Sequence, residues 1–350
     1  MTPSDHDPPD LSPAEAKERY LNHRRTDAKD STVKGWHYRL KLFVEWARKN
    51  DIDSMSELDG WTLDEYQTHR RGTGVTSTTL NGEMQTLKNW LEYLARIEVV
   101  DESLPEKVHV PTVPAGEESN DEKLDASAAR SLLAMYRDHP ERRASSKHAL
   151  LELLWFTGAR MGGIRALDLE DYHSDEQYVE FRHRPKEDTP LKNDRDGERA
   201  VGLPRSVCDV LDEYIAQNRI DSFDDHGRQP LLTTTQGRTS TNTVRTWCYM
   251  ATQPCLYQDC PHGESRPACE YVHMHDASKC PSSVSPHRVR TGSITWQRDC
   301  GLPAEVVSER VNANLRVIEK HYDKATQRER LERRRRPYVQ NLGFESDSEA

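Results

Sequence analysis

Apolar residues recur at helical spacing in four stretches of the first hundred residues. Two of these stretches, "DSTVKGWHYRLKLFVEWARKN" and "VTSTTLNGEMQTLKNWLEYLARI", open on Ser and Thr residues that can cap a first helical turn. Their apolar positions are Leu40, Phe43, Val44 and Ala47 in the first, and Leu80, Met84, Leu87, Leu91 and Leu94 in the second. With "SPAEAKERYLNHRR" and "WTLDEYQTHRRG", they predict a module of four amphipathic helices.

Later in the chain the pattern mixes helical and extended periods. "ASAARSLLAMYRDH", "SSKHALLELLWFTG", "RSVCDVLDEYIAQ" and "STNTVRTWCYMAT" predict helices, and the second is apolar enough to be buried centrally. "QYVEFRH" and "ERAVGLP" predict strands around the polar "RPKEDTPLKNDRDG", which indicates a β-hairpin with Lys192 at its tip. The expected fold class is mainly α with a small β-sheet: a helical domain followed by an α+β domain.

A segment rich in Pro and acidic residues separates the two patterns. We expect a helical domain at 11–99, a linker at 100–123 and a second domain at 124–343. Residues 1–10 and 344–350 are expected to be a disordered N-terminus and an acidic tail.

The net charge of −10 is concentrated in these acidic parts. The two termini and residues 101–125 together carry a net charge of −12, which leaves a net charge of about +2 for the rest of the chain. The overall charge therefore does not exclude a nucleic-acid partner. The basic residues Arg39, Lys41, Arg70, Arg71 and Lys88 of the helical module are candidate DNA contacts, and a solvated helical face explains them equally well.

The sequence lacks the features of a membrane protein. No stretch approaches the roughly 18 apolar residues of a membrane-spanning helix. The start "MTPSDHDPPDLSP" has neither the basic beginning nor the apolar centre of a signal peptide. We expect a cytoplasmic protein.

Candidate chemistry begins at "SPHRVRTGSITWQRDCG". Ser285 is a suitable N-cap and Pro286 suits the first helical position, so His287 and Arg290 share one face at a helix start. The unpaired N–H groups of a helix N-terminus favour an anion. Arg160 follows Gly158, the expected end of the apolar helix.

These cations, the hairpin lysine and a late tyrosine suit chemistry on a phosphodiester. Guanidinium groups bind non-bridging oxygens in pairs, and His and Lys can move protons. The chain shows no paired carboxylates at metal spacing and no glycine-rich phosphate loop. A tyrosine nucleophile fits instead.

The order T-G-x-R, hairpin Lys, H-x-x-R and late Tyr resembles the tyrosine recombinase (phage integrase) family, and within it the integrases of salt-loving archaea and their viruses and plasmids. The family's boxes are similar to "TGARMGGIRALDLEDY", "SPHRVRTGSIT" and "VIEKHYD". The resemblance covers nearly the whole chain. It implies an N-terminal core-binding (SAM-like) domain and a catalytic recombinase domain.

The resemblance also implies the catalytic roles. Tyr322 would attack a DNA phosphorus and form a 3′-phosphotyrosyl link, while Arg160 and Arg290 would clamp the phosphate. Lys192 would protonate the leaving 5′-oxygen, and His287 would assist proton transfer. No cofactor is implied for catalysis. The implied partner is double-stranded DNA, bound by a homotetramer that is a monomer or dimer when free, for integration or excision of a mobile element.

Alternatives remain at several positions. Three of the roles have competing residues. Lys186, Arg184 and Arg195 are other cations of the hairpin that compete with Lys192. Tyr338 competes with Tyr322 as the nucleophile, and His321 competes with His287. Where many members carry an acidic residue, this chain has Gly163. The family's second His or Trp falls near Asn312 and Ala313, so a hydrogen bond to the phosphate would come from Asn312 or Asn314, or be missing. A catalytically silent DNA-binding regulator and a relaxing enzyme similar to type IB topoisomerases are the competing functions.

Four of the seven cysteines cluster in "CLYQDCPHGESRPACEYVHMHDASKC", within an expected insertion at 254–282. Disulfides are rare in intracellular proteins, so thiolate ligation of a structural zinc ion is the hypothesis for them. The candidate ligands are Cys255, Cys260, Cys269 and Cys280.

The basic stretch "TQRERLERRRR" at 326–336 follows the candidate nucleophile. Arg333 and Arg334 are its candidate DNA contacts. Packing of this stretch against a neighbouring subunit is the alternative.

Overall fold

The computed structural model describes residues 10–114 and 122–339. The chain divides into two compact units, Met1–Asn120 and Asp121–Ala350. The expectations for residues 1–9 and for the acidic tail 344–350 lie outside the described residues. Across the part of the chain that is described, no helix combines the length and apolarity needed to cross a membrane.

The first unit contains the four predicted helices: α1 (Pro13–Arg24), α2 (Asp30–Lys49), α3 (Gly60–Gly72) and α4 (Ser77–Arg96). Local capping starts them: the Ser12 hydroxyl accepts from the Glu15 N–H, and the Thr76 hydroxyl accepts from the Thr79 N–H. Their apolar faces meet around Trp90, which is fully buried.

The first unit continues past residue 99. Val100, Leu104 and Val108 are buried in its core, and a short 3-10 helix spans Leu104–Lys107. These three apolar residues are four apart in a stretch otherwise rich in acid and Pro. The stretch at 100–108 is therefore packed structure within the first unit, although its composition indicates a linker.

The second unit is mixed. Its main helices are α5 (Ala126–Asp138), α6 (Ser146–Thr157), α7 (Met161–Ala166), α8 (Arg205–Glu213), α9 (Thr241–Ala251), α10 (Pro286–Asp299) and α11 (Ala304–Val311). A short turn α12 (Leu315–Val317) continues as a π-helical turn, Ile318–Tyr322, and the C-terminal segment holds α13 (Gln327–Glu329), a π-helical turn (Arg330–Arg335) and α14 (Arg336–Val339). The described architecture confirms a mainly helical fold with a small β component.

Helix α6 forms the centre of the second unit, as its uniformly apolar sequence predicts. Leu150, Leu153 and Leu154 are buried, and the helix packs against α9 and α10. It ends at Gly158, whose φ is +60°. A Cβ there would lie 2.9 Å from Val311 Cγ1, so glycine is required both by the backbone conformation and by the close approach of α11.

The predicted hairpin is present within a three-stranded antiparallel sheet of β1 (Tyr172–His173), β2 (Tyr178–Phe181) and β3 (Arg199–Gly202). Val179 pairs with Val201 in its centre. A second sheet joins β4 (Thr233–Thr234) and β5 (Gly237–Arg238). The connection between β2 and β3 contains two 3-10 turns, Pro185–Glu187 and Asp194–Gly197, and carries the exposed Lys192.

Candidate active site

Two arginines are held by carbonyl oxygens at the C-terminal ends of helices. Arg290 Nη1 donates to the carbonyl oxygens of Gly158 and Val311, the second at 2.9 Å. Arg160 Nη1 donates to the carbonyl oxygen of Asn312 at 2.8 Å. These carbonyls end α6 and α11, where the helix dipole places partial negative charge, so the guanidinium groups are oriented without a carboxylate.

Arg290 keeps unused hydrogen-bond donors in the interior. Its side chain is almost fully buried, and its Nε and Nη2 atoms have no hydrogen-bond partner within the described ranges 10–114 and 122–339. The pKa of Arg290 is lowered to about 10, chiefly by burial; Tyr322 opposes the change, and the charge of the nearby Arg160 contributes to it. The group stays charged at neutral pH. Buried donors without a partner are costly, and an anion with two oxygens would satisfy them.

Two further arginines, which the sequence patterns did not single out, extend this cationic cluster. Arg199 Nε donates to the Arg310 carbonyl at 2.7 Å, and its guanidinium lies 4.2 Å from the Phe181 ring centroid. Burial lowers the pKa of Arg199 to about 9, and the charges of Arg290, Arg160 and Arg310 add to the effect. Arg199 is two residues before Val201 and shares its inward strand face, which is the pattern that identifies it.

Within the part of the chain that the structure describes, acidic side chains do not neutralise the cluster. Arg310 Nη2 donates to the carbonyl oxygens of Phe156 at 3.0 Å and Gly202 at 3.2 Å. Among the ion pairs of the described residues, none joins Arg160, Arg199, Arg290 or Arg310 to an Asp or Glu. A concentration of unneutralised, oriented guanidinium groups is suited to binding a phosphate.

Tyr322 lies beside this cluster. Its side chain is buried, and the Arg290 guanidinium lies 4.9 Å from the centroid of its ring. The His287 ring is also close to the Tyr322 ring, with centroids 5.3 Å apart. The Tyr322 carbonyl accepts a hydrogen bond from Thr295 Oγ1 at 2.9 Å, which fixes the end of the π-helical turn against α10.

His287 is in the first turn of α10 as expected, directly after Pro286, and the Ser285 hydroxyl caps the helix by accepting from the Arg288 N–H. Although part of the residue is exposed, burial of the ring lowers the pKa of His287, and the charges of Arg290 and Arg160 lower it further. The imidazole is therefore neutral at neutral pH and can accept a proton.

Lys192 lies on the exposed part of the β2–β3 loop. The residue before it, Leu191, is buried, and the residue after it, Asn193, is exposed. The Asn193 side-chain amide donates to the Asn312 side-chain oxygen, so the loop is tied to the arginine cluster next to Lys192. Of the competing cations, Arg184 is engaged with Asp171 in a buried ion pair and is structural.

The candidate DNA contacts of the first unit differ in their surroundings. Arg70 makes two hydrogen bonds to the buried Glu83, at 2.8 and 2.9 Å, and only 12% of its side chain is exposed. The charge of Arg70 joins α3 to α4, and the expectation that Arg70 contacts DNA stays a prediction. The others keep more accessible positions: Arg39 bonds to Gly82 and Thr86, Lys41 pairs with Glu45, Lys88 pairs with Glu106, and Arg71 is exposed.

Arg333 and Arg334 also contact acidic residues of their own unit. Arg334 donates to both oxygens of Asp323 at 2.7 and 2.9 Å and to Asp299 at 2.8 Å, and 12% of its side chain is exposed. Arg333 donates to Asp299 at 2.9 Å and is half exposed. The Arg334 guanidinium holds Asp323, the residue that follows Tyr322, and the expectation that Arg334 contacts DNA stays a prediction.

The four clustered cysteines lie in an irregular segment of short turns. No group of three or more His, Cys, Asp or Glu side chains able to hold a metal ion occurs in the described part of the chain. Short 3-10 turns separate the cysteines along 254–279, and the Cys255 sulfur accepts from Arg266 Nη1 at 2.8 Å. The structural zinc ion at Cys255, Cys260, Cys269 and Cys280 therefore stays a prediction, which this arrangement of the described residues does not support.

No family model matches the chain, and no curated protein matches it. The N-terminal domain of a phage integrase/site-specific recombinase from Haloarcula marismortui is 70% identical, covering 29% of this chain and 99% of that one, with a TM-score of 0.29. The Tn1549 transposon integrase in complex with circular intermediate DNA is 14% identical, covering 95% of this chain and 100% of that one, with a TM-score of 0.66. A lambda integrase dimer bound to a COC′ core site is 11% identical, covering 89% of this chain and 79% of that one, with a TM-score of 0.60.

The last two similarities extend the recombinase fold over both units, and the first is close in sequence. The chain belongs to the tyrosine recombinase (phage integrase) family of site-specific recombinases.

Proposed function

We propose that this chain is a site-specific recombinase that cleaves and rejoins DNA through a 3′-phosphotyrosyl link to Tyr322, for integration or excision of a mobile element. One observation carries the proposal: the buried Arg290 has two unused donors and lies over the Tyr322 ring. An anion at this position would meet the tyrosine and the guanidinium together.

The arginines bind the scissile phosphate in this mechanism. Arg290 donates Nε–H and Nη2–H to the non-bridging oxygens, and Arg160 adds a second guanidinium from the end of α6. Negative charge on these oxygens grows as phosphorus becomes pentacoordinate, so fixed cations in a site shielded from water stabilise the transition state most. Arg199 and Arg310 add positive potential from the sheet side.

The chemical step exchanges one phosphate ester for another. Tyr322 Oη forms a bond to phosphorus while the bond from phosphorus to the 5′-oxygen breaks. The phenol proton passes to His287, and Lys192 gives a proton to the departing 5′-oxygen. Because the ester bond is conserved in the protein–DNA link, the reverse reaction rejoins strands without a cofactor.

A nicked suicide substrate tests this function. Its short 3′ fragment diffuses away after cleavage and traps the covalent complex. We expect the native protein to give an adduct resistant to denaturant, and Tyr322→Phe to bind the same DNA without an adduct. Binding without an adduct from the native protein would contradict catalysis and support a silent regulator. Relaxation of supercoiled DNA without strand exchange between two sites would support a topoisomerase-like enzyme instead.

The proposal includes a homotetramer on two DNA sites and a cytoplasmic location. Single-molecule mass measurement of the complex with two-site DNA tests the assembly. We expect four copies of the chain per complex, whereas a complex that stays at two copies while recombining would contradict it.

A further inference from the structure

Asn312 lies between the arginine cluster and the loop that carries Lys192. It ends α11 with φ +51° and ψ +64°, a left-handed conformation that Asn and Gly adopt more readily than other residues. Both its backbone and its side chain make contacts beyond its own helix.

On one side, Asn312 helps to fix the arginines. Its carbonyl oxygen accepts from Arg160 Nη1 at 2.8 Å, and the preceding carbonyl, of Val311, accepts from Arg290 Nη1 at 2.9 Å. Backbone groups make both contacts, so they depend on the local conformation and not on the Asn312 side chain.

On the other side, the Asn312 side chain holds the β2–β3 loop. Its Nδ2 donates to the Asp196 carbonyl oxygen at 2.6 Å, and its Oδ1 accepts from the Asn193 side-chain amide. The loop at 192–196 is exposed throughout. Lys192 is adjacent to Asn193, one of the two residues bound in this way.

The sequence allowed a different role for this residue, a hydrogen bond to the phosphate from Asn312 or Asn314. The Asn312 amide N–H group donates to the loop, whereas Asn314 uses its Oδ1 as the cap that accepts from the Val317 N–H at 2.9 Å. The hydrogen bonds of the Asn312 side chain therefore favour a role in holding the loop of the proton donor, Lys192, over a direct contact with the phosphate.

We propose that Asn312 is a positioning residue that joins the Lys192 loop to Arg160 and Arg290. It would hold the proton donor at the correct distance from the arginines that bind the phosphate. This rests on the proposed function of the site. The side chain sets the place of the loop, while the backbone carbonyl sets the place of Arg160. The two roles can be separated by one substitution.

Asn312→Gly separates them because glycine keeps the left-handed backbone and its carbonyl but removes both side-chain bonds. The assay measures single-turnover cleavage of two suicide substrates, one with the natural 5′-oxygen and one with sulfur in its place. A thiolate leaves without prior protonation, since a thiol is a far stronger acid than an alcohol. The sulfur substrate therefore does not need the positioned lysine.

We expect Asn312→Gly to cleave natural DNA about 10²-fold more slowly than the native protein and to regain the native rate on the sulfur substrate. Lys192→Ala and Asn193→Ala should follow the same pattern. Arg160→Ala, the matched variant for the other side of Asn312, should stay slow on both substrates. Thermal unfolding of each variant shows that it is folded under the assay conditions.

Native cleavage of natural DNA by Asn312→Gly would overturn the proposal, as would equal slowing on both substrates, which would mean that the residue acts through the arginines. Failure of the proposed function would give a different result, because the native protein itself would then form no covalent adduct with either substrate.

Discussion

The Arg290 guanidinium lies 4.9 Å from the centroid of the Tyr322 ring while its Nη1 is held by two helix-terminal carbonyls. This arrangement leaves the Nε and Nη2 donors for a ligand. Arg290→Lys keeps a positive charge but loses the planar fork. We expect single-turnover cleavage to fall by about 10²–10³-fold, measured with saturating DNA. Cleavage close to the native rate would mean that a point charge is sufficient.

Gly158→Ala should destabilise the second unit. Alanine disfavours the left-handed backbone, and its Cβ would lie 2.9 Å from Val311 Cγ1 and 3.1 Å from Ser293 Oγ. We expect a loss of at least ~2 kcal/mol in the free energy of unfolding by urea titration. Gly162→Ala is the matched control, because nothing lies within 4 Å of a Cβ there and α7 benefits from alanine. Equal stability of the two variants would contradict the packing argument.

Cleavage should depend on pH through His287. Burial and two arginine charges lower the pKa of His287 below 6.5, so the neutral ring persists at neutral pH and becomes protonated only in more acidic solution. We expect the cleavage rate to fall as pH decreases through this lowered pKa, and the His287→Gln profile to lack that decrease. A native profile that falls already above pH 7 would be inconsistent with a lowered pKa.

Folding stability should change in the same direction with pH. The folded chain binds the His287 proton less readily than the unfolded chain, so protonation favours unfolding as pH falls below the unfolded pKa. The native free energy of unfolding should therefore decrease over that range more than that of His287→Gln.

Arg70 and Arg71 are neighbours with different expected roles. Arg70→Ala leaves the buried carboxylate of Glu83 without its partner, and we expect a loss of roughly 3 kcal/mol in the stability of the first unit. Arg71 is exposed, and Arg71→Ala should weaken DNA binding and its salt dependence with no change in the unfolding temperature. Calorimetry and binding titrations at several salt concentrations separate the two. Reversal of the two phenotypes would contradict this assignment.

Arg334 should contribute to the stability of the residues around Tyr322. Burial alone would raise the pKa of Asp323, but hydrogen bonding and charge from Arg334 hold it below its ordinary value. Arg334→Gln removes that stabilisation, and we expect roughly 3 kcal/mol of lost stability at neutral pH, with slower cleavage. The neighbouring exposed Arg335→Gln is the control. If both variants lost DNA affinity equally and neither lost stability, Arg334 would be a DNA contact after all.

Local sequence patterns predicted the helices and the start of the site. The Ser285 cap, the buried α6 and the stop at Gly158 depend on residues within a few positions of one another, and capping and periodicity describe them fully. Because α6 ends next to α10 and α11, Arg160, Arg290 and Tyr322 were brought together as the order of the motifs implied.

Hydrogen bonds and ion pairs between residues distant in sequence could not be predicted from such local patterns. Asn312 and Asn193 are 119 residues apart, and their bond depends on how α11 packs beside the sheet. The ion pair that buries Arg70 is likewise set by packing between two helices. The cysteine cluster has the composition of a zinc site, but no group of side chains able to hold a metal ion occurs among the described residues, and the pattern alone does not specify how such a loop folds.

The most direct test of the central claim is peptide mapping, by mass spectrometry, of the covalent complex trapped on a suicide substrate. We expect the mass of the 3′-phosphorylated DNA remnant on the peptide that contains Tyr322, and on no other tyrosine. Linkage to Tyr338 or to another residue would contradict the assignment of the site.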